Sequence, residues 1–162
     1  MLTVERLREV LSYNKETGLF VWITRAARRI QVGDIAGKPH GAGYISIGID
    51  GQQYLTHRLA WLWMTGEWPW YQIDHVNRIR VDNRWDNLRS ATPVQNNANA
   101  GLMKTNTSGR KGVTWFKRDS KWRAQISIDN WTRHIGYYDT LDEAHAAYAE
   151  EARKIRGEYA NV

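Results

Sequence analysis

Sixteen residues, Asp74 to Arg89, together with the Thr92-Pro93 pair that follows, constrain this chain more than any other stretch. An acid and a histidine close a short apolar run (Tyr71, Ile73), and a polar loop rich in Asn and Arg comes next. Thr92 as N-cap and Pro93 in the first turn then open a helix. The implied order is strand, loop, helix. It brings Asp74 and Asn96, one turn into that helix, within reach of one hard cation, with His75 aimed at the same place. Asp and Asn oxygens suit Mg2+ or Mn2+, not Zn2+. Taken singly these residues are ordinary, because Asp and Asn crowd into turns where they hydrogen-bond the local backbone. As an ordered set ahead of a helix they read as a catalytic site.

The stretch resembles the HNH (ββα-metal) nuclease motif, in the variant whose last His is replaced by Asn. The resemblance covers residues 55–100 and rests on Asp74-His75, on Asp82-Asn83-Arg84 with Asn87-Leu88-Arg89, and on Thr92-Pro93 with Asn96. It implies His75 as general base, Asp74 and Asn96 as ligands of one divalent cation (Mg2+ or Mn2+), and Asn87 as the residue that orients the loop and His75.

The chain of 162 residues suffices for two small domains, whose cores nine Trp and eight Tyr can supply. It has no cysteine, which excludes disulfides, thiol chemistry and a Cys-based zinc site. No apolar run approaches the roughly 18 residues of a membrane span, and the first residues lack a signal-peptide core, so a cytoplasmic protein without a membrane partner is expected.

A net charge of +6 points to a polyanion, and its distribution says more than its total. Residues 101–138 hold eight Lys or Arg against two acids, whereas residues 139–162 hold three against six. The basic segment is interleaved with Trp115, Phe116 and Trp122, a combination that favours nucleic acid over a merely solvated face.

Before the motif, Val4, Leu7, Val10 and Leu11 recur at helical spacing behind Thr3, and Leu19 to Ile23 reads as a strand. Residues 44–49 and 53–56 form a hairpin through the Asp50-Gly51 turn. The glycines at 33, 37, 41 and 43 with Lys38 fit no phosphate-loop spacing, so a mobile loop is expected there. His57 to Met64 is a buried helix, its Trp61 and Trp63, with the nearby Trp68 and Trp70, assigned to packing; His57 is read as structural.

After the motif, residues 101–110 are rich in Asn, Ser, Thr and Gly and read as a basic extended linker whose Lys104 and Arg110, with Lys111, follow DNA. From residue 111, strict alternation puts Trp122, Ala124, Ile126 and Ile128 on one face and Arg123, Gln125 and Ser127 on the other. Leu141, Ala144, Tyr148, Ala152 and Ile155 make a helical stripe able to cover the apolar face. Gly112-Val113, Lys121-Trp122, the run Ile135 to Thr140, Glu143-Ala144, Ala147-Tyr148 and Arg156-Gly157 resemble the Apetala-type (ethylene-response-factor-like) DNA-binding domain. That resemblance implies a three-stranded sheet docked in the DNA major groove through Lys111, Thr114, Phe116, Arg118, Arg123, Gln125, Ser127 and His134.

The expected fold is α+β: an HNH domain with antiparallel hairpins (1–100), an extended linker (101–110), and a three-stranded antiparallel sheet packed on one helix (111–162). The whole is similar to the phage-encoded HNH homing endonucleases. It implies a metal-dependent endonuclease on double-stranded DNA in the host bacterial cytoplasm. With one Asp-His constellation and no spare apolar surface, a strand-nicking monomer without a protein partner is expected. The alternative is a DNA-binding regulator whose nuclease motif is degenerate.

Overall fold

In the computed structural model, which describes residues 1–128 and 131–162, the chain divides into two compact units, Met1–Thr92 and Pro93–Val162. The first opens with helix α1 (Val4–Val10), whose Thr3 hydroxyl accepts the Arg6 N–H at 3.2 Å and whose Leu7 and Val10 are buried. Leu11 fitted the helical spacing, but its backbone is extended and begins strand β1 (Leu11–Asn14). Strand β1 pairs antiparallel with β2 (Leu19–Trp22), and β2 with the short β3 (Ile35–Ala36).

A second sheet runs β4 (Lys38–His40), β5 (Tyr44–Ile49), β6 (Gln52–Leu55), so part of the glycine-rich segment expected as a mobile loop is strand. Strands β5 and β6 join through Asp50 and Gly51, both at positive φ (49° and 77°), as a tight hairpin turn demands. Helix α2 (Thr56–Thr65) follows and stops at Gly66. Leu7, Leu11, Phe20, Ile47, Leu59 and Leu62 are fully buried in one core, each burial contributing about 1.5–3 kcal/mol. Trp61, Trp63 and Trp68 pack against it. Trp70 does not: it is 92% exposed. Strands β7 (Gln72–His75) and β8 (Leu88–Ala91) form a separate antiparallel ribbon, and β8 was not foreseen.

The second unit starts with α3 (Pro93–Asn99) and contains a sheet ordered β11 (Trp131–Tyr138), β10 (Lys121–Ile128), β9 (Val113–Phe116), covered by α4 (Leu141–Arg156). Thr140 and Glu143 form a reciprocal capping box, with Asp142 and Glu143 in the first turn of α4 and Arg153, Lys154 and Arg156 in the last. Val113, Ala124, Ile126, Ala144, Tyr148 and Ala152 form the core. Gly112, at φ +71°, lies flat against Tyr148; a Cβ there would sit 2.1 Å from the ring.

The expected extended linker is, over its second half, a stapled turn. Gly109 N–H donates to Asn106 Oδ1 (2.8 Å), Asn106 Nδ2 to the Arg110 carbonyl (2.9 Å), and Ser108 Oγ to the Val113 carbonyl (2.7 Å). No helix among the described residues is long and apolar enough to cross a membrane.

Candidate active site

Strands β7 and β8 hold the acid and the histidine. Asp74 lies opposite Arg89 and His75 opposite Leu88, and Asp74 and His75 are only 5% and 4% exposed. Arg89 Nε donates to Asp74 Oδ2 at 2.9 Å, and its Nη2 lies 2.8 Å from the same oxygen.

The loop between the strands is closed by Asn87. Its Oδ1 accepts the Asn77 N–H (2.9 Å), its Nδ2 donates to the Asp82 carbonyl (2.7 Å), and its own carbonyl accepts the Val76 N–H (2.9 Å). Both ends of the amide are thus used on main chain, which sets the loop's shape. Asp82 in turn accepts from Asn77 Nδ2 and from both Nε and Nη2 of Arg84. Arg84, more than any other neighbour, holds its carboxyl down at about 2.

The ring of His75 faces Asn83, with Nε2 3.1 Å from Asn83 Oδ1. A carbonyl oxygen only accepts, so Nε2 carries the proton and the lone pair falls on Nδ1. Burial pushes the His75 pKa below the ordinary histidine value, against the opposing pull of Asn83, Asp74 and Asp82, so the imidazole is neutral at pH 7. The His57 ring stands 5.2 Å away, edge-on, with Tyr44 beside both. Burial first, then the proximity of His75 and Arg58, lowers the His57 pKa to about 3. An imidazole that is neutral at pH 7 has a lone pair with which to take a proton from an attacking water.

Asn96 is half-buried on α3, in the second unit. Among the described residues no three His, Cys, Asp or Glu side chains come together to cage a metal. Carboxylate and amide oxygens, the donor types of Asp74 and of Asn96, suit a hard cation that keeps most of its shell as water and phosphate oxygen, the habit of Mg2+.

On the sheet, β10 pairing puts Phe116 opposite Lys121, Thr114 and Tyr137 opposite Arg123, His134 opposite Gln125, and Thr132 opposite Ser127, all on one face. Arg118 and Arg123 lie 5.2 and 5.5 Å over the Phe116 ring, which also contacts Tyr137 at 5.2 Å. Lys104 is exposed in the segment before the sheet, and Arg110 pairs with Asp142 at 3.4 Å. Lys111 donates to the Ala98 and Ala100 carbonyls (2.7 and 2.6 Å) at the end of α3. The motifs in the sequence contain Asn83, Arg89 and Tyr137 but assign them no role. Tyr137 was detectable from strand alternation, whereas Asn83 and Arg89 needed the loop and strand pairing.

The HNH endonuclease family model matches residues 54–98. Protein 3.8 of Escherichia phage T7 is 32% identical over 90 residues, which cover 56% of this chain and 74% of that protein. An uncharacterised HNH endonuclease of Acanthamoeba polyphaga mimivirus is 31% identical over 88 residues, 54% of this chain and 44% of that one. No solved structure matches the chain. The matched segment carries the strand and closed loop that hold His75 beside the buried Asp74, and the chain belongs to the HNH endonuclease family, hydrolases of DNA phosphodiester bonds.

Proposed function

We propose that this protein is a metal-dependent homing endonuclease that acts as a monomer and nicks one strand of a recognised double-stranded DNA site. The buried His75 beside Asp74, at the end of a strand whose following loop is shaped by Asn87, is the observation that carries this reading. His75 takes a proton through Nδ1 from the water that attacks phosphorus in line, and the loop holds the ring fixed while it does so. Asp74 and Asn96 would hold one Mg2+ or Mn2+, which when bound supplies electrostatic stabilisation of the developing phosphorane charge and the departing 3′ oxygen. Residues 1–100 are the nuclease head in this reading.

Residues 101–110, with Lys104 and Arg110, tether it to an Apetala-like reader. The face of Thr114, Phe116, Arg118, Arg123, Gln125, Ser127 and His134 has the cation and hydrogen-bonding chemistry for base edges and phosphates, and a β-ribbon fits the major groove. One Asp-His site per chain meets one phosphate, which favours nicking.

Sites selected by cleavage from a random DNA library, recloned in a supercoiled plasmid, provide the substrate for the test. Open-circular product should appear first, at a rate first-order in enzyme, and excess chelator should abolish it. His75→Ala should bind the site normally and cleave about 10²- to 10⁴-fold more slowly. Linear product from the start with second-order dependence overturns the nicking monomer; cleavage in excess chelator overturns metal dependence.

A further inference from the structure

We infer that Asn83 is a positioning residue that fixes the tautomer and ring orientation of His75, and that the N-terminal hairpin holds Asn83 in place through Tyr13. The inference rests on the reading of His75 as the base.

The hydrogen-bond pattern around Asn83 is ordered at both ends of its side chain. Its Nδ2 donates to the Val81 carbonyl at 3.3 Å, which turns Oδ1 toward His75 Nε2. Asn83 and His75 are 3% and 4% exposed, so solvent does not readily substitute for that acceptor. Without it the ring has reason to flip or to move its proton to Nδ1, and either change withdraws the basic nitrogen. The hydrogen bond on one ring nitrogen thereby decides what the other can do.

Three contacts pin the backbone of Asn83 and its neighbours to residues that precede the family match at 54–98. Tyr13 OH donates to the Asn83 carbonyl at 2.6 Å, from a side chain that is 8% exposed and packed on Phe20. Trp85 N–H donates to the Lys15 carbonyl at 3.0 Å. Gly18, at φ +73°, lets the β1–β2 turn lie so close that a Cβ would sit 2.4 Å from the Arg84 nitrogen. The hairpin is thus a rigid floor under the residue that holds the base, the kind of support a precise site requires.

The test reads the tautomer directly. Full-length 15N-labelled protein, with His75 signals assigned by their loss in His75→Ala, is followed by long-range 1H–15N correlation at pH 8.5. Single-turnover cleavage and DNA affinity are measured on the same variants. Wild type should show one His75 tautomer, protonated on Nε2. In Asn83→Ala that purity should be lost and the cleavage rate should fall about 10- to 100-fold, as for other residues that orient a reacting group, with DNA Kd changed less than twofold. Asn83→Asp, which keeps an acceptor, should restore the tautomer and most of the rate. Tyr13→Phe should act in the direction of Asn83→Ala with a smaller effect; amide dispersion checks that each variant is folded. A wild-type proton on Nδ1, a tautomer indifferent to Asn83→Ala, or wild-type cleavage by that variant overturns the inference. If the tautomer responds as expected but His75→Ala cleaves like wild type, the base assignment is what fails.

Discussion

Arg89 Nε donates to Asp74 Oδ2, and Nη2 of the same guanidinium lies 2.8 Å from that oxygen, across a strand pair in which the two side chains are 12% and 5% exposed. One oxygen of the carboxylate is thereby committed to Arg89, and the acid keeps a fixed orientation. Arg89→Met would leave a buried carboxylate without its cation, a change that costs about 3–5 kcal/mol. Urea denaturation should show that loss, and Mn2+ should raise the midpoint of Arg89→Met more than that of wild type, since the oxygen that Arg89 holds is released to the cation. Equal Mn2+ responses would show that Asp74 does not bind the ion.

The second prediction follows from His57, whose folded-state pKa is about 3. An unfolded histidine titrates near 6.5, so as pH falls through that value the unfolded chain gains a proton that the folded chain refuses. Stability should therefore be full above about pH 6.5 and be lost progressively below it, down to about pH 3. At pH 5 the loss from His57 alone is about 2 kcal/mol. His75, shifted in the same direction, adds to the slope. Urea titrations by tryptophan fluorescence at pH 7.5 and 5.0 measure the difference, which should shrink by that amount in His57→Gln. An unchanged difference would mean that His57 is protonated in the folded protein.

Local signals were legible where the chain decides its own conformation. Thr3 as a cap, the Asp50-Gly51 turn and the alternation from Trp122 to Ile128 each act over a few residues, and each is found as expected. What escaped reading depends on distant partners. Leu88-Arg89-Ser90-Ala91 has no strong strand signature and is a strand because β7 offers it a ladder. The choice between Asn83 and Asn87 as the partner of the His75 ring turns on how the loop folds back, and two asparagines four residues apart look alike in sequence. The tie between the two ends of Pro93–Val162 has a similar origin, since Lys111 and Asn161 donate to the Ala100 carbonyl from 11 and 61 residues beyond it.

Gly112 should be intolerant of a methyl group. Its φ of +71° strains any L side chain, and the Tyr148 ring that would be struck is buried in the core and tied to Arg156 through its hydroxyl. Left-handed strain and overpacking together cost at least ~2 kcal/mol. Gly112→Ala should therefore lower the melting temperature of the second unit, followed by amide signals of β10. Gly109→Ala provides the control, because it shares a positive φ (72°) but has nothing within 4 Å of an added Cβ. Equal losses in the two would reduce the effect at Gly112 to backbone strain alone.

The last prediction concerns Phe116, whose ring is flanked by the Arg118 and Arg123 guanidiniums and by Tyr137. Arg118 is also paired with Asp119, whereas Arg123 Nε is buried with no hydrogen-bond partner among the described residues, so the aromatic ring is a principal restraint on where the Arg123 cation points. If this face docks on DNA, Arg123 arrives already oriented, and the ordering cost of a long side chain, roughly 0.5–1.5 kcal/mol, has been met before binding. Arg123→Ala should then weaken specific binding by about 1–3 kcal/mol, while Phe116→Ala should weaken it through the released arginine even without touching a base. The two losses should not add. A double-mutant cycle of DNA affinities at fixed salt should give a coupling of at least ~0.5 kcal/mol between positions 116 and 123. Lys117, exposed and outside the stacked cluster, serves as the contrast: Lys117→Ala should lower the salt dependence of binding by about one unit of slope if it meets a phosphate, and should add to either substitution. Strict additivity of Phe116→Ala and Arg123→Ala would show that the ring packs the sheet surface and does not aim the arginine.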